Sequence, residues 1–179
     1  MTVGAPARKD VRRRGGAARR SGLVACEVGP REGLDGGAAL RRQAQRGTAA
    51  VDAVGDTAAG VSVYHELDPT FYSVTSTTFI GKVYELFGLK NIADGAQPGN
   101  DYPQLNAEFI VKANPGLIVL ADSKCCGATS ASVSGRPGWN VIDAVKNSKV
   151  VAVDDDIASR WGPRVVDFVM AISKALSGK

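Results

Sequence analysis

Apolar and polar positions fall in alternating blocks along residues 61–179. Val61-Ser62-Val63-Tyr64 reads as a short strand. Thr77 or Thr78 can cap a helix running to about Phe87, with Ile80, Val83, Leu86 and Phe87 on one face and Gly88 as its stop. Residues 91–104 read as a loop, with Pro98-Gly99-Asn100 as turn chemistry. Asn106 caps a helix from Ala107 to Ala113, which Asn114-Pro115 ends. Leu117-Ile118-Val119-Leu120 is continuously apolar, the pattern of a strand covered on both faces. A polar loop over 122–136, a helix from Trp139 to Lys146 and a strand from Lys149 to Val153 follow. The last helix is expected from about Pro163 to Leu176, burying Val165, Val166, Val169 and Ile172. Strands alternating with helices predict an α/β lobe of three layers, a central parallel or mixed sheet with helices on both sides.

Composition divides the 179 residues into unlike pieces. Residues 1–50 hold 11 basic and 4 acidic residues; the remainder holds 11 and 14. Ten of the first eleven basic residues are Arg, eight of the second eleven are Lys, and no aromatic residue precedes Tyr64. The Arg/Gly/Ala-rich piece has too few large apolar side chains to offset its ordering entropy, so residues 1–50 are expected to be disordered or to come from a non-native reading frame. Arg12-Arg13-Arg14 and Arg19-Arg20 admit a second reading, a nucleic-acid arm, although no aromatics are interleaved with them. Leu23-Val24-Ala25-Cys26 matches the residues before a lipidated cysteine, but the preceding apolar stretch is too short for a secretory signal. No window reaches the length of a membrane-spanning helix.

Candidate chemistry gathers where strands end. In an open α/β sheet, ligands bind beyond the carboxyl ends of the strands. Tyr64-His65-Glu66-Leu67, Asp122-Ser123-Lys124 and the run from Asp154 to Arg164 all occupy such places, and Tyr102 can join them. Aromatic rings beside Arg and Asp suit a large, flat, polar-edged ligand. The bland alternative for Asp154-Asp155-Asp156 is a solvated turn at a helix start. His65 is the only histidine and reads first as a hydrogen-bonded structural residue. His65, Glu66 and Asp156 admit a third reading, a metal-dependent hydrolase, but no metal site is expected, because ligands as close in sequence as His65, Glu66 and Asp68 rarely complete one. Cys125 and Cys126 are adjacent, and either a strained vicinal disulfide or two free thiols is open to them.

Residues 61–176 resemble the C-terminal lobe of a class III periplasmic binding protein, the kind that delivers ferric siderophores, other iron chelates or cobalamin to ABC importers. The resemblance rests on the strand and helix from Tyr64 to Gly88, on Tyr102-Pro103-Gln104-Leu105 with Ala107-Glu108-Phe109-Ile110, and on Asn114-Pro115-Gly116 before the apolar strand. It extends through Arg136-Pro137-Gly138-Trp139, Ala144-Val145-Lys146-Asn147 and Ala158-Ser159-Arg160-Trp161-Gly162-Pro163-Arg164. Ala121-Asp122-Ser123-Lys124-Cys125-Cys126-Gly127 is similar to iron-chelate members from actinobacteria.

The resemblance implies a binding protein, with no enzymatic step and no cofactor. It places Tyr102 and the Asp156/Arg160 pair against the ligand, where Tyr64 and Trp161 are expected to join them from the strand ends, and makes Glu108 the carboxylate that docks on the importer's permease. It implies a monomer outside the cytoplasm, held at a membrane only through an anchor or the permease. Residues 1–50 resemble neither the family's N-terminal lobe nor its bridging helix. The expected organisation is therefore 1–50 as a foreign segment, 51–60 as a remnant of the interlobe helix and 61–179 as the C-terminal lobe. A single lobe is expected to bind its chelate weakly or not at all.

Overall fold

A computed structural model of the chain describes residues 35–159, 162 and 164–178, without the side chains of residues 35, 36, 158 and 159. The Arg-rich arm, residues 23–26, Arg160, Trp161 and Pro163 lie outside the described residues.

The described residues open on helix α1 (Asp35–Val54), continue through a 3-10 turn (Gly55–Ala58), and enter strand β1 (Ser62–Glu66). Helix α2 (Phe79–Glu85), strand β2 (Lys90–Asn91), helix α3 (Ala107–Ala113) and strand β3 (Leu117–Leu120) follow. Two short helices, α4 (Ser123–Cys126) and α5 (Ser130–Ser134), precede a 3-10 turn (Trp139–Val141) and helix α6 (Asp143–Lys146). Strand β4 (Val150–Ala152), helix α7 (Asp155–Ser159) and helix α8 (Val165–Ser177) complete the order.

The four strands form one parallel sheet in the order β2-β1-β3-β4. All carboxyl ends therefore lie along one edge. Adjacent strands stand about 4.8 Å apart, so that edge is roughly 14 Å wide.

Side-chain alternation divides the core into two layers. Val63, Leu117 and Val119 face α1, α2 and α8, where Tyr84, Phe87, Phe168 and Ile172 fill the space. Tyr64, Ile118 and Leu120 face α3, α5 and α6, around Trp139, Ile110 and Ile142. All four residues of β3 are buried, as its unbroken apolar run predicts. Sheet and two helical layers make the α/β lobe read from the sequence.

Local chemistry sets the helix starts. The Thr78 hydroxyl accepts from the Gly81 amide at 3.0 Å, and the Asn106 side chain from the Phe109 amide at 2.8 Å. Gly81 is required by a close approach: a Cβ there would stand 2.1 Å from the Thr75 carbonyl oxygen. Asn114 ends α3 in the left-handed conformation, φ 46°.

Four details differ from the sequence reading. Helix α1 starts at Asp35, ahead of the boundary at residue 51 that composition suggested. It carries few large apolar residues, and its order comes from packing along α8: the Ser173 hydroxyl donates to the Ala50 carbonyl at 2.7 Å, and Ala50, Val51 and Val54 join the core. Strand β1 runs two residues beyond the expected end, through His65 and Glu66. The polar loop over 122–136 contains α4 and α5, the latter held by a Thr129–Ser132 capping box. The helix expected from Trp139 to Lys146 divides at Ile142, which is extended, ψ 134°.

Candidate functional site

The carboxyl edge is built from four segments that leave the strands. After β1 the chain turns sharply. The Asp68 carboxylate accepts from the Thr70 amide at 2.7 Å and its hydroxyl at 2.5 Å, and the Leu67 amide donates to the Tyr72 carbonyl. Phe71 occupies the left-handed region at φ 69°, a conformation costly for an aromatic residue and held by its packing. Residues 70–75 then run beside 101–105. Tyr72 and Gln104 form an antiparallel bridge, and the Ser73 amide donates to the Pro103 carbonyl at 3.0 Å. This pairing presents Tyr72 and Tyr102, 39% and 54% exposed, at the β2–β1 end of the edge.

Beneath them lies a buried ion pair that the sequence does not announce. Arg136 donates both terminal nitrogens to the Glu66 carboxylate, each at 2.6 Å, and Glu66 is fully buried. The guanidinium stacks 4.6 Å from the Trp139 ring centre and 5.4 Å from that of Phe71. The Tyr64 hydroxyl donates to the same carboxylate at 3.2 Å. Its hydrogen bonds to Glu66 raise the Arg136 guanidinium further above its ordinary range. Burial, then the negative charge of Glu66, holds the Tyr64 phenol far above its usual pKa.

Two residues past β3 lies Asp122, which is fully buried and whose carboxylate oxygens meet no donor among the described residues. Burial, reinforced by the Glu66 charge, raises this carboxyl to about 6. The Ser123 hydroxyl ties β3 to β4 through the Val153 carbonyl at 2.7 Å.

The β4 end is charged and open. Lys124 lies 2.6 Å from Asp154 and 3.8 Å from Asp156, and Arg164 lies 3.8 Å from Asp154. The Lys124 hydrogen bond lowers the Asp154 carboxyl and raises the Lys124 ammonium. Burial works to raise the Asp155 carboxyl, but amide donors from Lys124 and Cys125, at 3.2 and 3.0 Å, overcome it and leave the group below its usual range.

The residues singled out from the sequence are thus divided. Tyr102 and Asp156 lie on the same edge, at opposite ends of it. Arg160 and Trp161 lie outside the described residues. Tyr64, expected to face ligand, is fully buried instead and packs edge-on against Trp139, ring centres 6.2 Å apart. The reason is the longer strand: Tyr64 is inside β1, not beyond it. Glu108 is exposed on the first turn of α3 and shares a shallow recess with Pro137 and Gly138.

The hydrolase reading fails on strand geometry. His65 and Glu66 are successive residues of β1 and point to opposite faces. His65 is buried between Tyr84 and Phe168, its Nδ1 2.6 Å from the Tyr84 hydroxyl. Burial lowers its pKa to about 3, so it is neutral. Among the described residues no three His, Cys, Asp or Glu side chains are grouped to hold a metal ion.

A family model described as periplasmic binding protein matches residues 30–157. The chain belongs to that family. The match takes in residues 30–50, which the sequence reading set apart. Over 117 residues the chain is 35% identical to an uncharacterised ABC transporter substrate-binding lipoprotein of Bacillus subtilis, covering 64% of this chain and 35% of the relative. Over 133 residues it is 32% identical to a cobalamin-binding protein of Halobacterium salinarum, covering 73% and 36%. The chain therefore spans about a third of the length of these curated relatives. A possible iron-binding periplasmic solute-binding protein from Staphylococcus epidermidis shares the fold, with a TM-score of 0.64 at 23% identity over 77% of this chain and 54% of that one.

Proposed function

We propose that residues 61–179 are one lobe of the substrate-binding component of an ABC importer, and that the carboxyl edge is its wall of the cargo cleft. One observation carries this reading: two exposed tyrosines and a cluster of exposed charges share one edge of a parallel sheet, where such sheets take ligands. The width of that edge, roughly 14 Å, suits a chelate or macrocycle rather than an amino acid or simple sugar. Tyr102 and Tyr72 offer faces for stacking, and Asp156, Lys124 and Arg164 offer polar contacts that water can also mediate. Arg160 and Trp161 belong to the same proposal through the segment that carries them. Tyr64 acts indirectly, by fixing Glu66.

The cargo we favour is a ferric siderophore or related iron chelate, with cobalamin second. Names of the relatives support both classes. Binding and release need no covalent step, and the neutral buried His65 and the occupied Glu66 are unsuited to acid–base work. Helix α1 is the natural candidate for the connection to a companion lobe, in place of the shorter remnant at 51–60. The lipoprotein among the relatives supports action outside the cytoplasm. Among the described residues no helix is long and apolar enough to cross a membrane, which leaves an anchor or the permease as the membrane link. Those relatives lend no support to a nucleic-acid role for the Arg-rich arm.

Tryptophan fluorescence titrations with ferric siderophores and with cobalamins test the cargo. Saturable quenching of a two-lobe version by one class is expected, and its silence towards both contradicts the proposal. Glu108 is assigned to permease docking, since an exposed carboxylate can steer a partner without being buried. Glu108→Arg is expected to lower uptake by the assembled importer while leaving cargo affinity unchanged; lost affinity would place Glu108 in the cleft.

A further inference from the structure

Cys125 and Cys126 stand outside the cargo reading. Unpaired cysteines are usually among the most buried residues, yet both of these are unbridged and exposed. They close α4, a single turn leaving β3. The Cys125 thiol donates to the Asp122 carbonyl oxygen at 3.6 Å. The same turn is tied to α7, because the Cys125 amide donates to the Asp155 carboxylate at 3.0 Å, and to β3, because the Cys126 amide donates to the Asp122 carbonyl at 3.1 Å.

We propose that Cys125–Cys126 is a reversible oxidation site, closing to a vicinal disulfide by exchange with a small-molecule or protein disulfide, and that closure releases α4 from Asp155. In the first step one thiolate attacks a sulfur of the external disulfide and expels a thiolate, which takes up a proton. In the second, the neighbouring thiol gives up its proton, attacks the mixed disulfide and expels the second thiolate. The pair loses two protons and two electrons, and the external disulfide takes up both to become two thiols. Hydrogen bonding to Cys126, then burial and the carboxylates of Asp155 and Asp122, push the Cys125 thiol up to about 12. The Cys125 thiol is engaged by the Asp122 carbonyl oxygen, which leaves Cys126 as the first nucleophile and Cys125 as the resolving thiol. Once Cys126 is in the mixed disulfide, its thiol no longer holds the Cys125 proton.

Coupling to α7 follows from distance. Neighbouring Cα atoms across a trans peptide are about 3.8 Å apart, below the range of about 4.4–6.8 Å that disulfides prefer. Closing the ring twists the turn, and the amide bonds to Asp155 and Asp122 are the ones that give way. Oxidation therefore loosens the charged end of the carboxyl edge and leaves the Glu66–Arg136 end untouched.

The test uses the full chain with Cys26→Ser, which removes the third cysteine, incubated with oxidised glutathione and analysed by intact mass after alkylation. The expected product is a monomer lighter by two hydrogens, without glutathione, without alkylation, and restored by dithiothreitol. Cys125→Ser should instead accumulate a single glutathione adduct on Cys126. Amide hydrogen exchange over residues 122–128 should quicken on the order of tenfold on closure. Two stable glutathione adducts, a disulfide-linked dimer or an unmodified chain would each overturn the site. Unchanged exchange over 122–128 after closure would overturn its coupling to α7. The unsubstituted chain, digested and mapped, serves as a second test, with the bridge expected within the 125–126 peptide.

Discussion

The two ends of the carboxyl edge carry ion pairs of opposite design. At the β1 end, a fully buried Glu66 is held by both arms of Arg136, whose side chain, 20% exposed, has its guanidinium clamped between aromatic rings. At the β4 end, Lys124 reaches Asp154 and Asp156 by single contacts from a side chain that is 57% exposed. A buried pair that loses one member leaves an uncompensated charge, whereas an exposed pair loses little because water replaces the partner. The first is thus a rigid floor whose charge is already spent, and the second is a set of charges exposed to solvent. Counting charged residues in the sequence would rank the ends the other way round.

The largest expected effect of breaking this contrast is at Arg136. Arg136→Met strands Glu66 and is expected to cost about 3–5 kcal/mol in denaturant unfolding. The double variant Glu66→Gln with Arg136→Met should recover most of that loss; equal loss in both would show that stacking on Trp139, and not the charge, holds the site.

Asp122 comes next. Its carboxyl is raised in the fold, so the native state binds a proton more tightly than the unfolded chain. Stability from this group is therefore greatest below about pH 4 and falls as pH rises towards 6. Asp122→Asn is expected to stabilise the chain at pH 7 by about 1–3 kcal/mol, with the gain gone at pH 4. His65 has the opposite sign: its pKa is lowered, so its contribution falls away as pH drops from about 6.5 towards 3. Thermal melts across this range separate the two, and a gain at Asp122→Asn that persists at pH 4 would rule out the carboxylate's charge as its cause.

Tyr102→Ala should leave the melting temperature unchanged and weaken cargo binding by roughly 2–10-fold, the worth of one aromatic contact. Lys124→Ala is the smallest case. No change in melting temperature is expected at any salt concentration, and a clear loss would show that the β4 end is as structural as the β1 end.

Much of the fold was legible because periodicity reports burial. The apolar run at 117–120, the caps Thr78 and Asn106 and the stop at Asn114 each act through neighbours in sequence. The site was legible only where it depends on strand ends. Tyr102 and Asp156 could be placed on one edge from topology. Glu66 and Arg136 could not be paired, since seventy positions separate them and their partnership depends on α5 and the turn before Trp139 bringing the guanidinium over β1. The reach of β1 through Glu66 decided the fate of Tyr64, and no composition signal marks that end. Helix α1 escaped notice because its small residues bury little individually and are ordered only by α8.

Amide chemical-shift mapping of the isotope-labelled chain during titration with ferric siderophores and cobalamin tests the central claim most directly, since it registers even weak binding. Shifts at 67–72, 100–104, 122–126 and 154–157, with none at 147–149 or 174–178, are the predicted result. Shifts confined to the opposite edge of the sheet, at 147–149 and 174–178, would contradict it.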